Sequence, residues 1–108
     1  MGCKSAEKMA AWTTPSIRYK PSQVEMSEVE EIIVIVSQMG KRVLELNKEG
    51  AAVSEDGFVW PLSQEETGLL SGTVVATIQV DYKTTSGLRY TTMPKSFDVV
   101  SSAVQGVI

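Results

Sequence analysis

Thr73-Val74-Val75-Ala76-Thr77-Ile78-Gln79-Val80-Asp81-Tyr82 is followed by a polar tip, Lys83-Thr84-Thr85-Ser86-Gly87, and then by Leu88-Arg89-Tyr90-Thr91-Thr92. Past Pro94 comes a second short run, Phe97-Asp98-Val99-Val100. In the first run Val74, Ala76, Ile78, Val80 and Tyr82 share one face, and Thr73, Thr77, Gln79 and Asp81 share the other. That period of two marks a strand with one buried side. β-branched and aromatic residues suit its pleated surface. Gly87 supplies the positive φ that a tight tip needs. The stretch predicts a long antiparallel hairpin against which the earlier strands pack.

Working outward, Ser63-Gln64-Glu65-Glu66 carries a capping-box pattern, with Ser63 at the N-cap and Glu66 at N3. Gly68 and Ser71-Gly72 hold the resulting helix to one or two turns. Glu65 and Glu66 are explained by the helix dipole; the further ligands of a calcium loop are missing. Phe58-Val59-Trp60-Pro61-Leu62 reads as a strand, and Ser54-Glu55-Asp56-Gly57 as the turn before it. Ala51-Ala52-Val53 is a weak strand signal. Arg42-Val43-Leu44-Glu45-Leu46-Asn47 returns from a turn at Gly40. Ile32-Ile33-Val34-Ile35-Val36 is apolar on both faces, which predicts a central strand covered on one side by a second sheet and on the other by a neighbour or loop. Val24 to Val29 is a connector. Ser16-Ile17-Arg18-Tyr19-Lys20 lies between two prolines and suits an edge strand. Before it, Ser5 to Trp12 favours about two turns of helix.

Short strands at this spacing, separated by turn signals, predict an all-β fold: a small antiparallel two-sheet β-sandwich, immunoglobulin-like in size. One short helical turn and an N-terminal arm complete it. Residues 1–13 form the arm and residues 14–108 a single sandwich domain. The cysteine–tryptophan–cysteine framework of antibody domains is absent.

Composition narrows the chemistry. The chain has 108 residues, 43% of them hydrophobic and 21% charged, as in an ordinary globular domain. It contains no histidine and one cysteine, Cys3. That argues against zinc sites and histidine-dependent nucleophilic catalysis. No paired carboxylates sit in an apolar, pocket-like context, so no enzyme is expected, and no cofactor or small-molecule substrate. No apolar run approaches the roughly 18 residues of a membrane span, and no secretory signal is visible. Met1-Gly2-Cys3 falls short of a myristoylation signal because Ala6 stands where Ser or Thr is required.

The net charge of −3 is unevenly laid out. Residues 1–20 carry Lys4, Lys8, Arg18 and Lys20 against Glu7, whereas residues 21–70 carry ten acids against three bases. A basic arm on an acidic body is not the pattern of a nucleic-acid surface. It suits contact between copies of the chain or with another protein. Candidate contact residues are Lys4, Lys8, Trp12 and Arg18, with Trp12 as the apolar anchor. The apolar end Val107-Ile108 is a second docking element.

Leu62-Ser63-Gln64-Glu65-Glu66-Thr67, then Gly72, Ile78-Gln79-Val80 and Ser86-Gly87-Leu88, form a layout that resembles small proteins from the structural-gene modules of tailed bacteriophages and prophages. Thr14-Pro15-Ser16-Ile17, Val36-Ser37-Gln38 and the final Val107-Ile108 extend the resemblance over residues 14 to 108. It implies a non-enzymatic β-sandwich subunit of the virion, made in the host cytoplasm. Its partners would be other virion proteins or copies of itself, on the capsid surface, at the head–tail junction or in the tail. The alternative is a carbohydrate- or receptor-binding module of a phage fibre or bacterial surface.

Overall fold

The computed structural model describes residues 8–72, 74–101 and 106–107, with Lys8 described by its backbone only. Among these residues nine strands, β1 (Lys8–Ala10), β2 (Ser16–Tyr19), β3 (Val29–Gln38), β4 (Lys41–Asn47), β5 (Ala52–Ser54), β6 (Gly57–Pro61), β7 (Ala76–Thr84), β8 (Arg89–Thr91) and β9 (Lys95–Val100), form two sheets. The larger runs β1-β9-β7-β3-β4 with β8 also on β7, and the smaller runs β2-β6-β5. All pairings are antiparallel except β1 with β9. Two 3-10 turns (Met26–Glu28 and Lys48–Gly50) and the helix α1 (Gln64–Gly68) lie in the connections. One sheet thus holds the second, fifth and sixth strands. The other joins the third, fourth, seventh and last, the division of an immunoglobulin-like sandwich with a variable-type extra strand.

The alternation of the deciding stretch persists in the structure. Ala76, Val80, Tyr82 and Thr84 are buried along β7, while Lys83 faces solvent. The strand starts three residues later than the pattern suggested and runs two residues further. The hairpin partner is split. β8 pairs with Asp81–Lys83 and β9 with Ala76–Ile78, along the same edge of β7. Pro94, which has no amide to donate, falls in the break. Thr92 bridges the gap: its amide donates to the Val80 carbonyl at 2.9 Å, and its hydroxyl accepts from the Val80 amide at 3.0 Å.

Local signals were accurate where the chemistry was local. Ser63 accepts from the Glu66 amide while the Glu66 carboxylate accepts from the Ser63 amide, closing the capping box. The β3–β4 loop is Met39-Gly40, both at positive φ (53° and 77°), as a type I′ turn demands.

Between the sheets lies a core of Ile17, Val29, Ile32, Val34, Val36, Leu44, Phe58, Trp60, Val80, Tyr82, Phe97 and Val99, among others. Phe58 and Trp60 stack at 5.7 Å. The Trp60 indole donates to the Asn47 carbonyl at 2.7 Å, tying β6 to the end of β4. Ile17 on β2 and Val80 on β7 bring the two sheets together in this core.

One expectation is corrected. The helical reading of Ser5 to Trp12 fails where the chain is described, because Lys8–Ala10 is an extended strand pairing with Asp98–Val100. The free edge of β9 offers hydrogen bonds that outweigh a weak local helix preference. The rest of that reading, Ser5 to Glu7, lies outside the described residues. Within this chain the inner side of the central strand β3 is covered by the smaller sheet, with Ile32, Val34 and Val36 buried, and its outer side is partly open, with Ile33 37% exposed and Ile35 half-buried.

Candidate interaction surface

The outward face of the larger sheet is assembled from cross-strand rows. Glu31 stands opposite Lys83, which stands opposite Arg89. In the next row Asn47, Ile33, Asp81 and Thr91 lie side by side, and beyond it come Glu45, Ile35 and Gln79. Two isoleucines therefore occupy the middle of a polar surface, because the apolar run of β3 has its odd-numbered members on this side. Val53 of β5, 54% exposed, joins Ile33 in lining an open hollow of about 670 Å³ at the β4 side. Glu30, Glu31, Glu45 and Glu49 also line it. A smaller hollow of about 230 Å³ flanks Ile33 on the β7 side, between Asp81, Lys83 and Arg89.

The charges on this face are partly paired. Lys83 lies 3.7 Å from Glu30, and Arg42 lies 3.2 Å from Glu45. Lys48 donates instead to the Val29 carbonyl at 2.9 Å. The Asp81 carboxylate accepts from the Thr91 hydroxyl and, at 3.1 Å, from the Arg89 guanidinium. The Thr91 hydrogen bond, opposed by partial burial and helped by Arg89, holds its carboxyl below the usual aspartate value. Such exposed pairs fix side-chain positions more than they stabilise the fold.

A third hollow, about 520 Å³, opens on the side of the sandwich between β2 and β8–β9. Met9, Ile17, Ile78, Val80 and Phe97 line it, and Met93 stands at its lip, 85% exposed. Tyr19 lies at its wall, packed 6.1 Å from Tyr82. Burial, followed by the neighbouring Tyr82, pushes the Tyr19 hydroxyl above its ordinary pKa.

The residues singled out from sequence do not converge. Lys4 and Ile108 lie outside the described residues. Lys8 is in β1, opposite Asp98. Trp12, at φ 64°, lays its ring on Gly68, where an added Cβ would come within 2.6 Å of it. Beside it the Thr67 hydroxyl donates to the Thr13 carbonyl at 2.7 Å. Trp12 therefore anchors the start of the chain to α1 of its own domain. Arg18 is exposed on β2 and borders the 520 Å³ hollow. Val107 is 56% exposed. The outward isoleucines were missed as a site, although the doubly apolar run of β3 was their signal.

Among the described residues no group of three or more histidine, cysteine or acidic side chains is placed to hold a metal ion. No described helix is long and apolar enough to cross a membrane.

No protein-family model matches the chain, and no curated protein does. Among solved structures, the chain is similar to the first Ig-like domain of human CD48 antigen, with 10% identity and a TM-score of 0.42, over 100% of this chain and 93% of that one. At that score the likeness adds no argument. The strand order and the pairing of the two sheets define the class, an all-β, immunoglobulin-like sandwich.

Proposed function

We propose that this chain is a non-enzymatic structural subunit of a tailed-phage particle that binds another virion protein through the outward face of its larger sheet. The observation that carries the contact is Ile33, 37% exposed at the centre of that face and framed by Glu31, Asn47, Asp81 and Arg89. An apolar centre within a charged rim is the anatomy of a protein–protein contact. Ile35 stands two residues further along β3, and Val53 lines the same hollow as Ile33. The assignment to a phage particle rests on the sequence layout of Leu62–Thr67, Ile78–Val80 and Ser86–Leu88.

A carbohydrate-binding role needs an exposed aromatic face, and the described aromatics do not favour it. Phe58, Trp60, Tyr82 and Phe97 are buried, Tyr90 stacks on Tyr82 at 5.1 Å, and Trp12 lies against Gly68.

The test uses particles purified on a density gradient from cells that produce them and carry the gene. The full chain is expected to co-sediment with the particles. Ile33→Arg should reduce its particle-bound fraction at least about tenfold, as truncation of an interface anchor does, while leaving the melting temperature unchanged. A chain that stays in the soluble fraction, or an Ile33→Arg variant that binds as well as the parent, would overturn the reading.

A further inference from the structure

We propose that the hollow between β2 and β8–β9 is a strand-acceptor groove, and that it receives residues 102–108 of a second copy of the chain. This goes beyond the outward-face contact, since it concerns another surface and self-association of the purified chain.

The acceptor begins with an edge that pairs with no described strand. β2 is the outer strand of the smaller sheet. The Leu62 amide donates to the Pro15 carbonyl at 2.9 Å, so that pair is hydrogen-bonded to β6. By antiparallel alternation the pairs Ile17–Trp60 and Tyr19–Phe58 are bonded too. The amides and carbonyls of Ser16 and Arg18 then point away from the sheet, and no described residue bonds to them. An extended segment laid here would continue the sheet and satisfy these groups. Its alternate side chains would enter the space above Met9, Ile78, Val80 and Phe97. Such a row of apolar residues beside a free edge is what a strand-addition site requires.

The occupant follows from the chain's own segments. β1 already runs along the far side of the groove, with Met9 in its lining. Continued as a strand, the preceding residues with Met9's orientation are Glu7, Ser5 and Cys3, which are polar or weakly apolar and ill-suited to this lining. Residues 102–108 fit better. They carry no charged side chain, and Val104, Gly106 and Ile108 would share one face of an extended strand. Their departure point, Ser101, passes tightly against Gly72, where an added Cβ would collide with the serine, at the start of the β7 segment. Val107 is exposed rather than seated in the hollow of its own chain. A donor segment on one surface and an acceptor on another make a head-to-tail contact, which propagates as a ring or an open chain.

The experiment is light scattering of the purified full chain over the micromolar range. The weight-average mass is expected to rise with concentration. The double variant Val104→Asp/Ile108→Asp, which places charge on the face that enters the groove, should stay monomeric at an unchanged melting temperature. A synthetic peptide of residues 102–108 added in trans should lower the mass of the parent chain. Arg18→Pro removes an outward amide at an edge where proline is tolerated, and should weaken association at least about tenfold. In a Cys3→Ser background, Arg18→Cys with Gln105→Cys should oxidise to chain-linked species on a non-reducing gel. Several results would overturn the proposal: a parent chain monomeric at every concentration, association that survives the double variant, no effect of the peptide, or a disulfide closed within one chain. Ile33→Arg should leave this association intact, which separates its failure from that of the outward-face contact.

Discussion

Asp81 shows how much a single position owes to its neighbours across the sheet. In sequence it is one polar residue in an alternating run. In the fold its carboxylate receives the Thr91 hydroxyl and the Arg89 guanidinium, which lower its pKa against the opposing effect of partial burial. A carboxyl with a folded pKa below its unfolded value stabilises the fold above the unfolded value and loses that contribution as pH falls through the folded one. Stability measured by urea titration should therefore fall as pH drops below the ordinary aspartate value of 3.8, and Asp81→Asn should reduce that slope. Equal slopes for the two proteins would remove Asp81 from the account. Asp81 also borders the hollow beside Ile33, so its fixed orientation shapes the rim of the proposed contact.

At the level of elements, β3 has the most to hold together. Its inner residues form the core, its outer isoleucines form the candidate surface, and its last residue, Gln38, tethers the connection after α1. The Gln38 amide nitrogen donates to the carbonyls of Ser71 and Val74 at 3.0 and 3.1 Å, and its oxygen accepts from the Ser71 amide at 2.8 Å. Gln38 is 7% exposed, so its loss strands backbone groups away from water. Gln38→Leu should cost about 2 kcal/mol in a denaturant titration and speed hydrogen exchange at Ser71. A variant as stable and as protected as the parent would show that the tether is redundant. Elements governed by near neighbours, such as the Ser63–Glu66 cap and the hairpin tip at Gly87, were legible in the sequence. β1 was not, because its conformation is set by β9, some ninety positions away.

For the molecule as a whole, the start of the chain is tied down at several points. Besides the β1–β9 pairing, the Ala11 amide donates to the Val100 carbonyl at 2.9 Å, Thr67 bonds the Thr13 carbonyl, and Trp12 covers Gly68. Removing residues 1–13 should therefore lower stability by about 3 kcal/mol or more, from lost hydrogen bonds and lost tryptophan burial. Thermal unfolding of the truncated chain checks this, and an unchanged melting temperature would mean that these contacts contribute little. Loss of assembly on such a truncation reports on folding as well as on contact, so the basic character of this segment is better probed by Lys4→Glu in the full chain. The two candidate surfaces lie on different parts of the sandwich, one on the outward face of β3 and β7 and the other along the outer edge of β2.

The sequence by itself determined the all-β class, the alternation of β7, the capped turn of α1 and the positions of the main turns. Each of these is a local matter of side-chain periodicity, glycine conformation or a hydrogen bond spanning three residues. It also restricted the side-chain chemistry, by lacking histidine and by having one cysteine. Only the tertiary structure decided which face of Ile32–Val36 would point away from the core, that β8 and β9 share one edge of β7, and that β2 is the outer described strand of its sheet, beside an apolar groove. Those outcomes depend on which strands become neighbours. That choice is made by burying the whole core at once, and no short window of residues contains it.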